Sequence, residues 1–331
     1  MRILGIESSC DETAAAMVKD GREVLSDIVL SQAGLHAKYG GVVPEIASRA
    51  HTEAIYALCE QAITANIDAI AATYAPGLIG ALLVGVNFGK ALAYKLSVPF
   101  IPVNHIKAHV AAAYLENPGL APPFLAFIAS GGHTSIMEVL NYTDFKLLGM
   151  TRDDAAGEAF DKTARAMGLD YPGGAKIERY AKLGDKNSVK IPLAKVEGSE
   201  LDFSFSGVKT HVINYINTQK QKKGELSESE KYDIAASFTE NVVQSITSRI
   251  KRAIEITGHK ILVCAGGVMA NWHIKEALKD LCGESDINLY IPDKKYCGDN
   301  AAMVASQGFY ELEAGNTAKL DQNAFASVEW A

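Results

Sequence analysis

Residues 124–139 read FLAFIASGGHTSIMEV, in which a short polar turn separates two apolar runs. We predict a strand at Phe124–Ala129, a turn over residues 130–133 and a strand at Thr134–Val139. The chain opens in the same way, because the apolar residues 3–6 lead through a polar turn to a second apolar run at residues 13–18. This repetition predicts two structurally similar lobes.

Two such turns have a physical use, since turns rich in backbone N–H groups can bind an anion from both sides. The arrangement resembles the actin-like ATPase (ASKHA) fold, an α/β architecture of two similar lobes with an active-site cleft between them. This resemblance predicts an N-terminal lobe at residues 1–120 and a C-terminal lobe at residues 121–331. The irregular, lysine-rich stretch around residues 182–230 is interpreted as an insertion in the second lobe.

The rest of the chain alternates short apolar runs with amphipathic runs, which is typical of layered α/β proteins. Strands are predicted at residues 67–74 and Ile261–Ala265. Helices are predicted at residues 44–65, Ile79–Leu96, residues 156–167 and residues 271–281.

Composition limits the functional classes. The 331 residues are 48% apolar and 21% charged, which fits a globular protein, and the formal net charge is −7. This charge disfavours a stand-alone nucleic-acid binder, because the main basic patch is only Lys220, Lys222 and Lys223. No signal peptide or membrane span is predicted, and the five cysteines include no CxxC pair. We therefore expect a cytoplasmic location and no membrane partner.

His105 and His109 are four residues apart, so on a helix both imidazoles face the same side and can reach one metal ion. A third ligand must come from elsewhere, and Asp299 is the best candidate. Two ordinary helix histidines remain the alternative. A zincin-type protease would need glutamate after the first histidine, and Ile106 stands there instead.

Three glycine pairs follow strand or loop ends, at Gly131-Gly132, Gly173-Gly174 and Gly266-Gly267. Such pairs let a backbone approach a ligand and offer N–H groups to an anion, although turns that need positive φ would also explain them.

Two acidic segments add candidate functional groups. Asp11 and Glu12 lie in the first turn, where a carboxylate could accept a proton from an incoming amine. Asp161 lies in a helix that begins after Asp153 and Asp154, which we interpret as complementing the helix dipole. Cys10 is interpreted as a small buried residue.

Taken in order, these motifs resemble the TsaD family, the bacterial tRNA N(6)-adenosine threonylcarbamoyltransferases. The segments that carry the resemblance span the chain: residues 5–13, 39–45, 75–78, 130–134, 153–162, 169–174, 203–210 and 265–268.

The resemblance implies transfer of a threonylcarbamoyl group from threonylcarbamoyl-adenylate to the N(6) amine of the adenosine beside the anticodon, in tRNAs that read codons beginning with adenine. It implies one metal ion, iron or zinc, on His105, His109 and Asp299. Glu12 is our candidate to accept the amine proton. Contacts to the substrate are implied for Ile128, Ala129, Ser130, Gly131, Gly132, Asp161, Gly174, Glu178 and Asn271.

The resemblance also implies partners: tRNA, a TsaB-like paralogue and a TsaE-like ATPase, with binding of ATP and magnesium in the assembled complex left open. Two departures from the family pattern stand out. Lys107 and Ala108 replace the usual Glu and Gly between the histidines, and Gly298 replaces a threonine whose hydroxyl would support the metal site. A metalloprotease, an actin-like small-molecule kinase and a non-enzymatic scaffold are the competing hypotheses.

Overall fold

A computed structural model describes residues 1–328 and 330. Its strands are β1 (Arg2–Glu7), β2 (Glu12–Lys19), β3 (Glu23–Ser31), β4 (Ala69–Ala75), β5 (Phe100–Asn104), β6 (Phe124–Ala129), β7 (Thr134–Val139), β8 (Phe145–Met150), β9 (Ile261–Ala265) and β10 (Asn288–Tyr290).

The α-helices follow the same chain order. They are α1 (Ala33–His36), α2 (Pro44–Ala62), α3 (Ile79–Leu96), α4 (His105–Ala111), α5 (Ala156–Ala166), α6 (Gly174–Ala181), α7 (Ser206–Lys223), α8 (Glu228–Thr257), α9 (Trp272–Ser285), α10 (Lys294–Cys297) and α11 (Ala301–Glu313). The predicted elements are all found, with shifts of a few residues at some ends. The chief omissions from the prediction are the strands β3, β5, β8 and β10 and the long helices α7 and α8, of which α7 lies inside the stretch 182–230 that was interpreted as irregular.

The chain forms two compact units, each built around one five-stranded sheet. The first sheet has the order β3-β2-β1-β4-β5, and the second has the order β10-β9-β6-β7-β8. When the second order is read backwards, its strands correspond one to one with those of the first sheet. The repeated strand–turn–strand pattern in the sequence therefore reflects a repeated sheet topology.

The first unit comprises Met1–Phe124, Val139–Lys146 and the segment from Ile291 onward, and the second comprises Leu125–Glu138 and Leu147–Tyr290. The predicted boundary at residues 120/121 lies near Phe124, where the chain first passes from the first unit into the second. The predicted extent of the second lobe, residues 121–331, differs from the structure because the C-terminal segment returns to the first unit. The physical reason is α11, whose apolar surface packs on β1, β2, β4 and β5.

The first sheet is buried on both faces. In β1, Ile3 belongs to a core cluster shared with α11, whereas Leu4 and Ile6 belong to a cluster shared with α2 and α3. Gly5 allows the close approach of α11, since a Cβ there would lie 2.3 Å from the carbonyl oxygen of Ala301. The start of α11, and Asp299 just before it, are thereby held against the centre of the sheet.

The helix α3 is the one described helix that is long and apolar enough, by length and composition, to cross a membrane. In the structure it packs on β4 and α2, and Leu82 and Val86 lie in the core. Its apolar character is therefore accounted for by packing within the first unit.

Candidate active site

The carboxyl ends of β1, β4 and β5 lie at one edge of the first sheet, because these three strands are parallel. β5 ends at Asn104, whose Oδ1 accepts hydrogen bonds from the backbone N–H groups of Ile106 and Lys107. This cap begins α4 and places His105 and His109 one turn apart, with ring centroids 4.5 Å from each other.

His105, His109 and Asp299 come together as the sequence predicts. Oδ1 of Asp299 lies 3.3 Å from Nε2 of His109 and 3.7 Å from Nε2 of His105. Ligand atoms about 2.1 Å from a tetrahedral zinc ion are roughly 3.4 Å apart, so the spacing suits a metal ion. His109 is fully buried, and among the described residues neither ring nitrogen has a hydrogen-bond partner. A buried nitrogen without such a bond, facing a carboxylate, fits a metal ligand.

Glu7 contacts this cluster, and nothing in the sequence pattern indicated it. This fully buried carboxylate ends β1, and its Oε2 lies 3.1 Å from Nδ1 of His105. The same oxygen accepts a hydrogen bond from the Thr73 hydroxyl at 2.7 Å, and Oε1 accepts one from the Ser9 backbone N–H at 2.5 Å. A carboxylate on the outer nitrogen of a metal-binding imidazole fixes its tautomer and ring orientation.

The charges of the cluster shift the pKa values of its members. Burial lowers the pKa of His105, but the carboxylates of Asp299 and Glu7 outweigh it and raise the pKa to about 9. Burial raises the pKa of Glu7, and interaction with His105 reverses this, so that the pKa lies below its ordinary value. Without a metal ion, Glu7 and His105 therefore form a buried ion pair at neutral pH.

Glu12, the predicted proton acceptor, is the first residue of β2 and directly follows the turn after β1. Burial, together with the charges of Asp299 and Asp11, raises the pKa of Glu12 to about 9. In the metal-free chain Glu12 is therefore protonated at neutral pH. Burial raises the pKa of the Cys10 thiol well above its usual range, which opposes reactivity as a thiolate, but Cys10 is partly exposed and not the buried residue that the sequence indicated.

In the second unit, two of the three glycine pairs lie side by side. β6 and β9 are parallel neighbours, with Ile128 opposite Ala265. A Cβ on Gly266 would lie 2.3 Å from the carbonyl oxygen of Ala129, so only glycine allows this approach. Ile128 and Ala129 are fully buried, backbone and side chain alike.

The loop after β6 also meets the start of α5. The Gly157 N–H donates to the Ser130 carbonyl at 3.2 Å, and a Cβ on Gly157 would lie 2.6 Å from that oxygen. Gly131 and Gly132 are exposed and face open space. A glycine loop beside a helix N-terminus is an arrangement that suits an anion.

The remaining predicted substrate residues have structural contacts of their own. Oδ1 of Asp161 accepts a hydrogen bond from the Gly173 N–H at 2.7 Å, which fixes the loop that precedes Gly174 and α6. Glu178 pairs with Lys182 one turn later in the chain, at 3.0 Å.

Asn271 is the residue before α9 rather than its first residue. Its Oδ1 accepts hydrogen bonds from the N–H groups of His273 and Ile274, so this oxygen caps the helix. All the predicted substrate contacts lie in the second unit, whereas Glu12 and the predicted metal ligands lie in the first.

Asp153 and Asp154 do not serve the dipole of α5 as interpreted from the sequence. Asp153 accepts hydrogen bonds from the hydroxyls of Ser204 and Ser206 at 2.6 Å and from the backbone N–H groups at the start of α7. Asp154 pairs with Lys162 and Lys209. The acidic motif therefore holds the 203–210 motif in place.

The chain matches the sequence profile of the TsaD family, described as tRNA N6-adenosine threonylcarbamoyltransferase, over residues 23–306. It is 49% identical to the protein of that name from Caldicellulosiruptor saccharolyticus, with 98% of this chain and 97% of the relative covered. It is 48% identical to the Clostridium perfringens protein, with 97% and 96% covered. The chain belongs to this family.

Among solved structures, HypF of T. kodakarensis has a TM-score of 0.62 at 16% identity, and the match covers 95% of this chain and 48% of HypF. The ROK hexokinase of Thermus thermophilus has a TM-score of 0.52 at 15% identity, covering 95% of this chain and all of the hexokinase. These likenesses concern the fold alone and confirm the predicted actin-like ATPase class. Family membership favours a transferase over the metalloprotease alternative.

Glu7→Gln is expected to weaken zinc binding by roughly 10–100-fold. Both Glu7 oxygens accept hydrogen bonds, so the amide of glutamine would turn its NH2 group toward the Ser9 N–H or the Thr73 hydroxyl. Zinc titration of the metal-free chain measures the effect. Glu23→Gln, an exposed carboxylate on β3, is the control. Equal affinities in the two variants would contradict the role given to Glu7.

Gly157→Ala is expected to lower the free energy of unfolding by about 1–3 kcal/mol, because the new Cβ would collide with the Ser130 carbonyl. Gly283→Ala is the matched control, since Gly283 is a helical glycine whose Cβ would face open space. Urea unfolding of both variants gives the comparison. A Gly157→Ala protein as stable as the control would show that the loop does not need this close approach.

Proposed function

We propose that this chain transfers a threonylcarbamoyl group to the N(6) amine of the adenosine beside the anticodon of tRNAs that read codons beginning with adenine, with threonylcarbamoyl-adenylate as the donor. The observation that carries the proposal is the convergence of His105, His109 and Asp299 in a member of this family. The name of the relatives specifies the reaction, and the three clustered side chains are the groups proposed to assist it.

We assign one divalent metal ion, iron or zinc, to His105, His109 and Asp299. Such an ion would supply positive charge that stabilises a developing oxyanion and, by offsetting Asp299, favours the ionised form of Glu12. Glu7 holds the ring of His105 through Nδ1 and leaves Nε2 facing Asp299. Gly298 lacks the hydroxyl that a threonine at this position would place beside Asp299. The Asn300 side chain still caps α11, because its Oδ1 accepts a hydrogen bond from the Met303 N–H.

The second unit is assigned the binding of the donor. The N–H groups of the exposed Gly131 and Gly132 suit its phosphate or carboxylate, because fixed backbone donors stabilise negative charge without reorganising. Ile128 and Ala129, at the buried end of β6, are also assigned to the donor site. Asp161, Gly174, Glu178 and Asn271 are proposed to complete the site around the nucleoside.

Glu12 is proposed to accept the proton that the adenosine amine releases as the new N–C bond forms, while the bond between the carbonyl carbon and the phosphate oxygen of the donor breaks and AMP leaves. A carboxyl with a raised pKa is a stronger base once ionised, which suits an amine that must lose a proton. The hydrogen bond from Ser31 to Oε1, at 3.0 Å, orients the carboxyl group.

Partner proteins are proposed to complete the tRNA surface, namely a TsaB-like paralogue and a TsaE-like ATPase, whose ATP and magnesium belong to the assembled complex. The net charge of −7 opposes binding of a polyanion to this chain alone. The lysines at the end of α7 offset it little, since Lys220 and Lys223 already pair with Glu225 and Glu230.

The reaction itself is tested by reconstitution. The chain and its partners, supplied with threonine, bicarbonate, ATP and unmodified tRNA, are expected to yield the modified nucleoside, detected by mass spectrometry. His109→Ala is expected to lower the yield at least roughly 100-fold, because the variant lacks a metal ligand. His259→Ala, a histidine of the second unit paired with Glu138, is the control. Absence of product with the unaltered chain would overturn the proposal.

Glu12→Gln is expected to slow transfer roughly 100-fold or more while zinc affinity stays within a few-fold, because the amide cannot accept a proton. Single-turnover transfer and zinc titration measure the two effects. Transfer at the unaltered rate would exclude Glu12 as the acceptor.

Stability provides a second test of the same residue. Because the folded pKa is raised from 4.5 to about 9, Glu12 favours the fold below pH 4.5, and this contribution is lost as the pH rises toward 9. Metal-free Glu12→Gln is therefore expected to melt higher than the unaltered chain at about pH 8, and the difference should vanish near pH 4.

A further inference from the structure

The first unit contains a buried chain of polar side chains that the proposed reaction does not use. It consists of His36, Gln32 and His51, and each of these side chains is buried. Nε2 of His36 lies 3.2 Å from Oε1 of Gln32, and Nε2 of Gln32 lies 3.4 Å from Nδ1 of His51. We call this set the histidine chain.

Backbone groups at its two ends fix its direction. The Val43 N–H can only donate, and it donates to Nδ1 of His36 at 3.3 Å. The Cys10 carbonyl can only accept, and it lies 2.9 Å from Nε2 of His51. Both histidines must therefore be neutral and carry their proton on Nε2. The Gln32 amide is oriented independently, because its Nε2 also faces the Ala47 carbonyl at 3.5 Å.

The histidine chain contacts the residues on both sides of Glu12, the first residue of β2. His51 donates to the Cys10 carbonyl, and the Gln32 backbone N–H donates to the Asp11 carbonyl at 2.9 Å. The hydroxyl of Thr13, the residue after Glu12, lies 2.7 Å from Nδ1 of His51. The backbone carbonyls of Cys10 and Asp11 are thus fixed before the proposed proton acceptor, and the Thr13 side chain is fixed directly after it.

We propose that His51 is a positioning residue that sets the location of Glu12 through the Cys10 carbonyl and the Thr13 hydroxyl, in a proton arrangement imposed by Gln32 and His36. The inference rests on the proposed function insofar as it concerns the role of Glu12. Burial lowers the pKa of His51, which keeps its ring neutral as the arrangement requires. The end of the histidine chain away from Cys10 is His36, which directly precedes the turn over residues 37–43. Tyr39 in that turn is 55% exposed.

The test compares two polar replacements. His51→Gln can place an N–H near the position of ring Nε2 and so keep the bond to Cys10, whereas His51→Asn is too short to reach it. We expect kcat for transfer to stay within about threefold in His51→Gln and to fall at least roughly tenfold in His51→Asn. The KM for tRNA and the zinc stoichiometry are expected to stay unchanged in both variants.

Ser306→Ala controls for general destabilisation, because it removes a buried hydrogen bond to the Gly21 carbonyl and leaves the turn untouched. It is expected to lower stability by about 1 kcal/mol without lowering kcat. If His51→Asn fails to fold, Thr13→Val removes one contact to His51 at nearly constant volume and is expected to lower kcat several-fold. Equal losses of kcat in His51→Gln and His51→Asn would overturn the proposal. So would losses of kcat that are proportional to the loss of stability in every variant.

A readout independent of activity separates this inference from the proposed function. Nuclear magnetic resonance of the nitrogen-labelled chain is expected to show His51 as the neutral Nε2–H form near neutral pH. The opposite tautomer, or a charged ring, would overturn the inference even if transfer is observed. If the chain makes no product but His51 has the expected form, the proposed function fails and the positioning of the turn stands.

Discussion

The buried carboxylate of Glu7 imposes the constraint on which the first unit is organised. A carboxylate without exposure to water is costly unless it is paired and fully hydrogen-bonded. Its partners come from the ends of the two neighbouring parallel strands and from its own turn: Thr73 on β4, His105 after β5, and the Ser9 N–H. Satisfying this one group therefore requires the three strand ends and the start of α4 to take up a single geometry, and this geometry presents His105 and His109 to Asp299.

Asp299, the third member of the cluster with His105 and His109, comes from the C-terminal part of the chain. α11 lies across the first sheet because its small residues and Gly5 allow close contact, and Asp299 immediately precedes it. The return of the C-terminal segment to the first unit is therefore necessary for the site as well as for the core. It also means that the cluster is assembled entirely within one unit, so its formation does not depend on how the two units are arranged.

The sequence predicted those features that depend on local spacing or on the repeated topology. Two histidines four apart on a helix must share a face, and repeated strand–turn–strand patterns produced matching sheets. Glu7 and His51 were missed because each has partners distant in sequence: Glu7 lies 98 residues from His105, and His51 lies 41 residues from Cys10. Asp153 was misinterpreted for the same reason, since the helix it serves begins 53 residues later. The periodicity of the sequence does not indicate such contacts between residues that are distant along the chain.

The distribution of charge explains why an apparently unfavourable cluster belongs at this edge. Glu7, Asp11, Glu12 and Asp299 bring four carboxyl groups to the same edge, and the raised pKa of Glu12 reflects burial and repulsion from Asp299 and Asp11. His105 offsets one charge through Glu7, whereas His109 has no hydrogen bond to any described residue. A cation held by His105, His109 and Asp299, as proposed above, would offset the charge of Asp299 and so lower the pKa of Glu12, which would couple the protonation of Glu12 to the loading of the site.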